Sequence, residues 1–231
     1  MTSLDHPVSA QTTLVRLPQI AITATALSVV LLISLHVLKP DYNPTWRFIS
    51  EYEIGDYGWV MQLSFLGMAA ASVLVGASLW QPAHGILGKI GVVLHGIVGL
   101  AFAGAALFVA DPMTADPAQM TSHGMLHGLF GAVAIPGVPL AALAVTFGMT
   151  SRGSSDRAAL SLPAWLSLLL VVAMFGHMII MLSGGAKIGP TIYAGGIGRI
   201  VIAAYAWWWI AAAYYAQRLN SGTSAAYAAN R

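Results

Sequence analysis

Six long apolar stretches occupy this chain, at residues 17–38, 57–80, 86–110, 123–148, 160–184 and 192–217. About 20 such residues, as a helix, cross a hydrocarbon core of about 30 Å. Lipid offers no partner to a free N–H or C=O, so each stretch must satisfy its own backbone as a helix. The expected fold is therefore all-α, a polytopic membrane protein built as a six-transmembrane-helix bundle. Composition excludes the soluble alternative. Only 8% of the residues are charged and 58% are hydrophobic, where a soluble domain carries about 25% charge. Too little polar surface remains to solvate a globule.

Other classes fall away on similar grounds. The net charge is +2 and no basic run exists, so nucleic acid is not an expected partner. Cysteine is absent, which excludes disulfides, thiolate chemistry, iron–sulfur clusters and Cys-type zinc sites. The first sixteen residues are polar and the run behind them lacks the small-x-small exit of a cleaved signal peptide. Membrane lipids are the expected surroundings, with a partner membrane protein as a further candidate.

Loop cations orient the bundle. Arg16, Lys89, Arg152, Arg157 and Arg218 fall on the side of the termini, against Lys39, Arg47 and Lys187 on the other. The bias predicts a prokaryotic inner membrane with both termini cytoplasmic. The domain plan is a cytoplasmic segment at 1–16, the bundle at 17–217, and a cytoplasmic tail at 218–231 that its small, polar composition marks as disordered. Glycine-rich faces in spans three, four and six are expected at helix contacts, because small residues let membrane helices approach. Pro136 and Pro139 are expected to kink span four and free carbonyls.

Ionisable residues in lipid are costly and raise a functional-site hypothesis. Alternating helix direction brings His36, Asp111, His123, His127, His177 and Arg199 to similar depth near the outer face. His123 and His127, four apart, share a helix face. Two such imidazoles suit one metal ion, and a third from His36 or His177 would complete a catalytic zinc site. Asp111 or Glu51 would then be the catalytic base for a metal-dependent hydrolase or lipid-modifying protein. Three other readings stand beside it. The same groups suit a structural hydrogen-bond network, with Arg199 paired to Asp111 or to a lipid phosphate. A single haem between His36 or His177 and His127 is the second, in a redox protein. A non-catalytic subunit that packs on partners through its glycine faces is also consistent with the composition. His95 sits alone in the opposite half and reads as a hydrogen-bonded packing residue. The loop Lys39–Asp56, KPDYNPTWRFISEYEIGD, mixes aromatics with charge and reads as an amphipathic segment in the headgroup region, or as a lid over the site through Ser50 and Glu51.

Two segments carry a family resemblance. HVLKPDYNPTWRFISEYEIGDYGWVMQLSFLGMA, from His36 to Ala69, has a His ending helix one and an Ile-Ser-Glu-Tyr stretch. FVADPMTADPAQMTSHGMLHG, from Phe108 to Gly128, has an acidic turn after helix three and a Thr-x-x-Gly, His-x3-His start to helix four. Together they resemble the DUF 998 family of six-helix prokaryotic membrane proteins, a name that records no established function. The Phe-Pro-x-Asp turn associated with that family reads Phe108-Val109-Ala110-Asp111 here, without the Pro. Phe48 to Glu51 is also similar to the outer-loop motif of the Frag1/DRAM/Sfk1 membrane proteins, some linked to lipid handling. The three-His-plus-Asp set is similar in kind to alkaline ceramidases and adiponectin receptors, which have seven helices, and is an analogy only.

Overall fold

A computed structural model of the protein describes residues 7–229. Residues 1–6 and 230–231, the outermost parts of the two expected cytoplasmic segments, lie outside the described residues. Six α-helices are present: α1 (Pro7–Leu38), α2 (Gly58–Leu79), α3 (Gly85–Leu107), α4 (Ser122–Met149), α5 (Ser155–Ser183) and α6 (Ala194–Ala229). Two 3-10 turns, Ile49–Glu53 and Pro117–Gln119, interrupt the loops, and no strand occurs among the described residues. All six helices are long and apolar enough to span a membrane. The inner boundaries match the apolar stretches closely, because hydrocarbon thickness dictates both, while α1 begins at Pro7, ahead of its apolar stretch. α6 continues as helix past residue 217 to Ala229.

The helices form a closed ring in the order α1, α2, α3, α4, α5, α6, and α2 reaches across to α6. The ring is unevenly filled. α3 packs most extensively on α4, whereas the backbones of α4 and α6 stay apart, joined by long side chains such as Tyr205, and α5 packs on both. Large buried side chains, among them Met61, Met68, Trp208 and Trp209, fill the middle.

In α3, Gly88, Gly91, Gly99 and Gly104 serve contact, as expected, while Gly96 meets nothing within 4 Å. A methyl group on Gly91 would lie 2.6 Å from the Val145 amide nitrogen, and one on Gly148 only 2.3 Å from the Gly88 nitrogen. α3 and α4 therefore meet backbone to backbone. In the first half of α4 the expectation holds at Gly124, which is pressed on Asp111, and fails in the next turns. A methyl group on Gly128 or Gly131 would meet nothing within 4 Å. These glycines leave space rather than close it.

The half of the bundle nearer the termini is tightly packed and aromatic. His95 is fully buried and stacks on Trp208 with ring centroids 4.9 Å apart. Ser72 Oγ donates its one proton to the His95 carbonyl at 2.9 Å, so it accepts from Nδ1 of the same residue at 3.0 Å. Of the three consecutive tryptophans, Trp207 is exposed while Trp208 and Trp209 are buried. His95 is thus the packing residue its isolation implied.

Candidate functional site: a roofed cavity and two polar networks

The loop end, where α1, α3 and α5 finish, holds the polar groups. The loop between α1 and α2 packs onto the helices. It folds inward, and its 3-10 turn buries Glu51, Tyr52 and Glu53. Several contacts fasten it. Lys39 Nζ donates to the carbonyls of Tyr52 and Ile54. Burial lowers the Lys39 pKa, with Asp56 acting in the opposite sense. The Glu53 carbonyl sits against Gly58, where a methyl group would lie 2.0 Å from its oxygen. The loop backbone meets the start of α6 as well, through Gly196 N–H to the Thr45 carbonyl at 2.7 Å.

The first network centres on Arg199, in the second turn of α6. Its Nε donates to His36 Nε2 at 2.8 Å, its Nη1 to the Arg47 and Gly195 carbonyls, each at 2.9 Å, and its Nη2 to the Tyr52 hydroxyl at 3.0 Å. An arginine in a span costs about 2.5–3.5 kcal/mol or more when unsatisfied, and these four acceptors are what hold it. The expected pairing with Asp111 does not form; Arg199 is held by His36 of α1 and Tyr52 of the loop, and Asp111 by Thr121. His36 has both nitrogens committed, since Nδ1 lies 3.0 Å from the Leu32 carbonyl. It has none free for a metal or a haem iron. Glu51 is fully buried and accepts from Arg47 Nη1 at 2.7 Å, from Phe48 N–H at 3.0 Å and from Met113 N–H at 3.2 Å. Those three donors compensate a carboxylate whose unpaired burial would cost several kcal/mol, and they leave it little freedom as a base.

The second network joins Glu53 and His127. Nδ1 of His127 faces three oxygens: the Phe108 carbonyl at 2.8 Å, the Ala105 carbonyl at 3.0 Å and Glu53 Oε2 at 3.2 Å. All three are acceptors, so Nδ1 carries the proton. Glu53 Oε2 also accepts from Ala110 N–H at 3.2 Å, while Oε1 is buried without a partner.

The remaining candidates go elsewhere. Asp111 accepts from Thr121 N–H at 2.7 Å and from its hydroxyl at 3.0 Å, tying the exit of α3 to the start of α4. Thr121 in turn caps α4 through Gly124 N–H at 3.0 Å. Asp111 is therefore a fastening group rather than the neighbour of the histidines. His123 is exposed, its ring edge-on to Phe108 at 5.4 Å. One turn before His127, it shares the helix face but lies beyond the packed end of the bundle. His177 is half-buried on α5, its Nε2 enclosed without a partner. Among the described residues, no group of three His, Asp or Glu side chains surrounds a point where one metal ion would sit. Depth brought these residues to one level, but rotation about each helix axis sent them to different neighbours. Glu53 and Tyr52 were missed as site residues. Their signal was the density of acids and aromatics in a loop between two apolar spans.

Below the 3-10 turn lies a cavity of about 330 Å³ between α4, α5 and α6. Phe48, Ile49 and Ser50 roof it, His127 marks its polar end, and Gly128, Gly131, Met174, Phe175 and Ile202 are among its walls. The proline effect on α4 appears here. Pro139 has no N–H for the Ile135 carbonyl, and the Tyr205 hydroxyl, also in the cavity wall, donates to that oxygen instead.

No curated protein and no solved structure matches the chain. The model of one family, described as a protein of unknown function (DUF998), matches residues 22–215. That match takes in all six spanning helices, the inward-folded loop and both polar networks, so the chain belongs to the DUF998 family of membrane proteins.

Proposed function

We propose that this protein handles lipid: it holds an amphipathic, lipid-like molecule in the cavity between α4, α5 and α6, at the outer leaflet of a prokaryotic inner membrane. The cavity carries the reading. Its walls are almost wholly apolar, and two of its glycines, Gly128 and Gly131, border open space where membrane helices ordinarily pack. A void of this kind inside a membrane is in contact with lipid chains as its natural solvent. Pockets of about 300–1,000 Å³ with few polar groups are typical of small-molecule sites. The inward-folded loop supports a specific occupant over a passing acyl chain, because it brings Phe48, Ile49 and Ser50 into the lining beside His127. The orientation rests on the loop cations.

Lipid extraction from purified protein tests this. Wild-type protein is expected to retain a lipid-like species at near-stoichiometric amounts by mass spectrometry. Gly131→Leu, which fills the cavity, is expected to lose it while eluting as the same monodisperse protein. Equal retention by both would remove the cavity from the account.

A further inference from the structure

The polar inventory of the cavity allows the ligand's chemistry to be narrowed, on the reading that the cavity binds a lipid-like molecule. Three lining side chains carry polar atoms: Ser50, His127 and Tyr205. Tyr205 gives its proton to the Ile135 carbonyl. The Nδ1 proton of His127 is held by three oxygens, so Nε2 is the lone pair whenever the ring is neutral. Nε2 has no hydrogen-bond partner among the described residues, and the ring turns its Nδ1 edge toward the end of α3, which leaves Nε2 on the cavity side. Ser50 stands three residues before Glu53 in a 3-10 turn, where side chains at that spacing eclipse. Its hydroxyl therefore lies on the face of the turn from which Glu53 reaches His127. It makes no hydrogen bond of its own among the described residues.

We propose that the cavity selects a neutral single-chain alcohol, whose hydroxyl donates to His127 Nε2 and accepts from Ser50. Glu53 is the positioning residue that helps fix the ring and its tautomer. Charge decides against the other common lipid heads. No Lys or Arg lines the cavity, and the Glu53 carboxylate lies behind His127. A fatty carboxylate or a phosphate would be buried beside like charge without compensation. Volume sets the chain. At about 30 Å³ for a water-sized group, 330 Å³ holds roughly eleven such groups, near a chain of ten to twelve carbons.

The test uses full-length protein in lipid nanodiscs, with empty discs subtracted. Tritiated 1-dodecanol is titrated, then competed with unlabelled 1-dodecanol, dodecyl methyl ether and dodecanoate. The ether keeps the chain and removes the donor. It is expected to compete about tenfold more weakly than the alcohol, the loss of one buried hydrogen bond, and dodecanoate at pH 8 more weakly still. In His127→Phe, alcohol and ether should compete equally, and retained ether binding shows that the variant is folded. Ser50→Ala should lose a smaller part of the preference. Equal competition by ether and alcohol in the wild type, or tighter binding of dodecanoate, overturns the hydroxyl assignment and leaves the cavity reading intact. Absence of saturable binding by any of the three, unchanged in Gly131→Leu, overturns both. The wild-type ratio decides even if His127→Phe fails to fold.

Discussion

α3 and α4 are both rich in glycine, and they distribute its uses differently. On α3, Gly88, Gly91, Gly99 and Gly104 press on neighbouring atoms, so that a methyl group there would meet them at 3.1 Å or less, and Gly96 faces nothing within 4 Å. On α4, Gly128 and Gly131 face nothing, while Gly137 and Gly148, further along the same helix, are pressed against α3. One helix thus passes from an open half to a packed half, and the transition falls at the proline pair. The lesson is that a small residue in a membrane helix marks a surface where bulk is refused, without saying whether a helix or a ligand does the refusing.

The largest effect should come from adding bulk on the packed side. Gly91→Leu forces α3 off Val145, and overpacking of this kind is expected to cost about 3 kcal/mol or more. The variant should give little monodisperse protein after detergent extraction. Normal yield and an unchanged melting temperature would mean that the two glycine faces do not differ. Next is Gly124→Ala, at the first turn of α4. Its new methyl would lie 2.0 Å from Asp111 Oδ2, and a loss of about 1–3 kcal/mol is expected in detergent-unfolding titrations. This places the edge of the open stretch between residues 124 and 128, and a neutral result would move it.

Tyr205→Phe probes the seam between the halves. It leaves the Ile135 carbonyl, already without its Pro139 donor, unpaired, at a cost of about 1–2 kcal/mol. A tolerated Phe would mean that ligand or lipid satisfies that oxygen instead. The smallest effect on stability should be Gly131→Leu, within about 0.5 kcal/mol of wild type, although ligand binding disappears. A melting temperature as low as that of Gly91→Leu would show that Gly131 serves packing after all.

Asp111 sharpens the distinction between fastening and chemistry. Asp111→Ala removes the acceptor for both Thr121 donors, and a cap-sized loss of about 1 kcal/mol is expected. Ligand binding should change far less, because the carboxylate does not line the cavity. Loss of binding at unaltered stability would return Asp111 to the site.

Much of this molecule was legible in one dimension. Span number and limits follow from the need to cross about 30 Å of hydrocarbon with every backbone group paired, a requirement each segment meets alone. The isolation of His95 and the carbonyl freed by Pro139 were readable for the same reason, since both depend on local chain chemistry. The depth of His36, His127 and Arg199 was readable too, because direction alternates from span to span.

What depth does not contain is rotation. A helix can turn about its axis without changing the level of any residue, and its packing partners choose the turn. That choice paired Arg199 with His36 and Tyr52 rather than Asp111, left His123 exposed, and gave His127 to Glu53. Loops have the further freedom of folding in or out. The segment from Lys39 to Asp56 carries as much charge as an exposed loop, yet the donors that meet Glu51 come from its own turn and from Met113, sixty residues on. Sequence determined the spans and their polar level. Only the tertiary structure decided which polar groups meet and where bulk is missing, because both depend on how six separately satisfied helices rotate against one another.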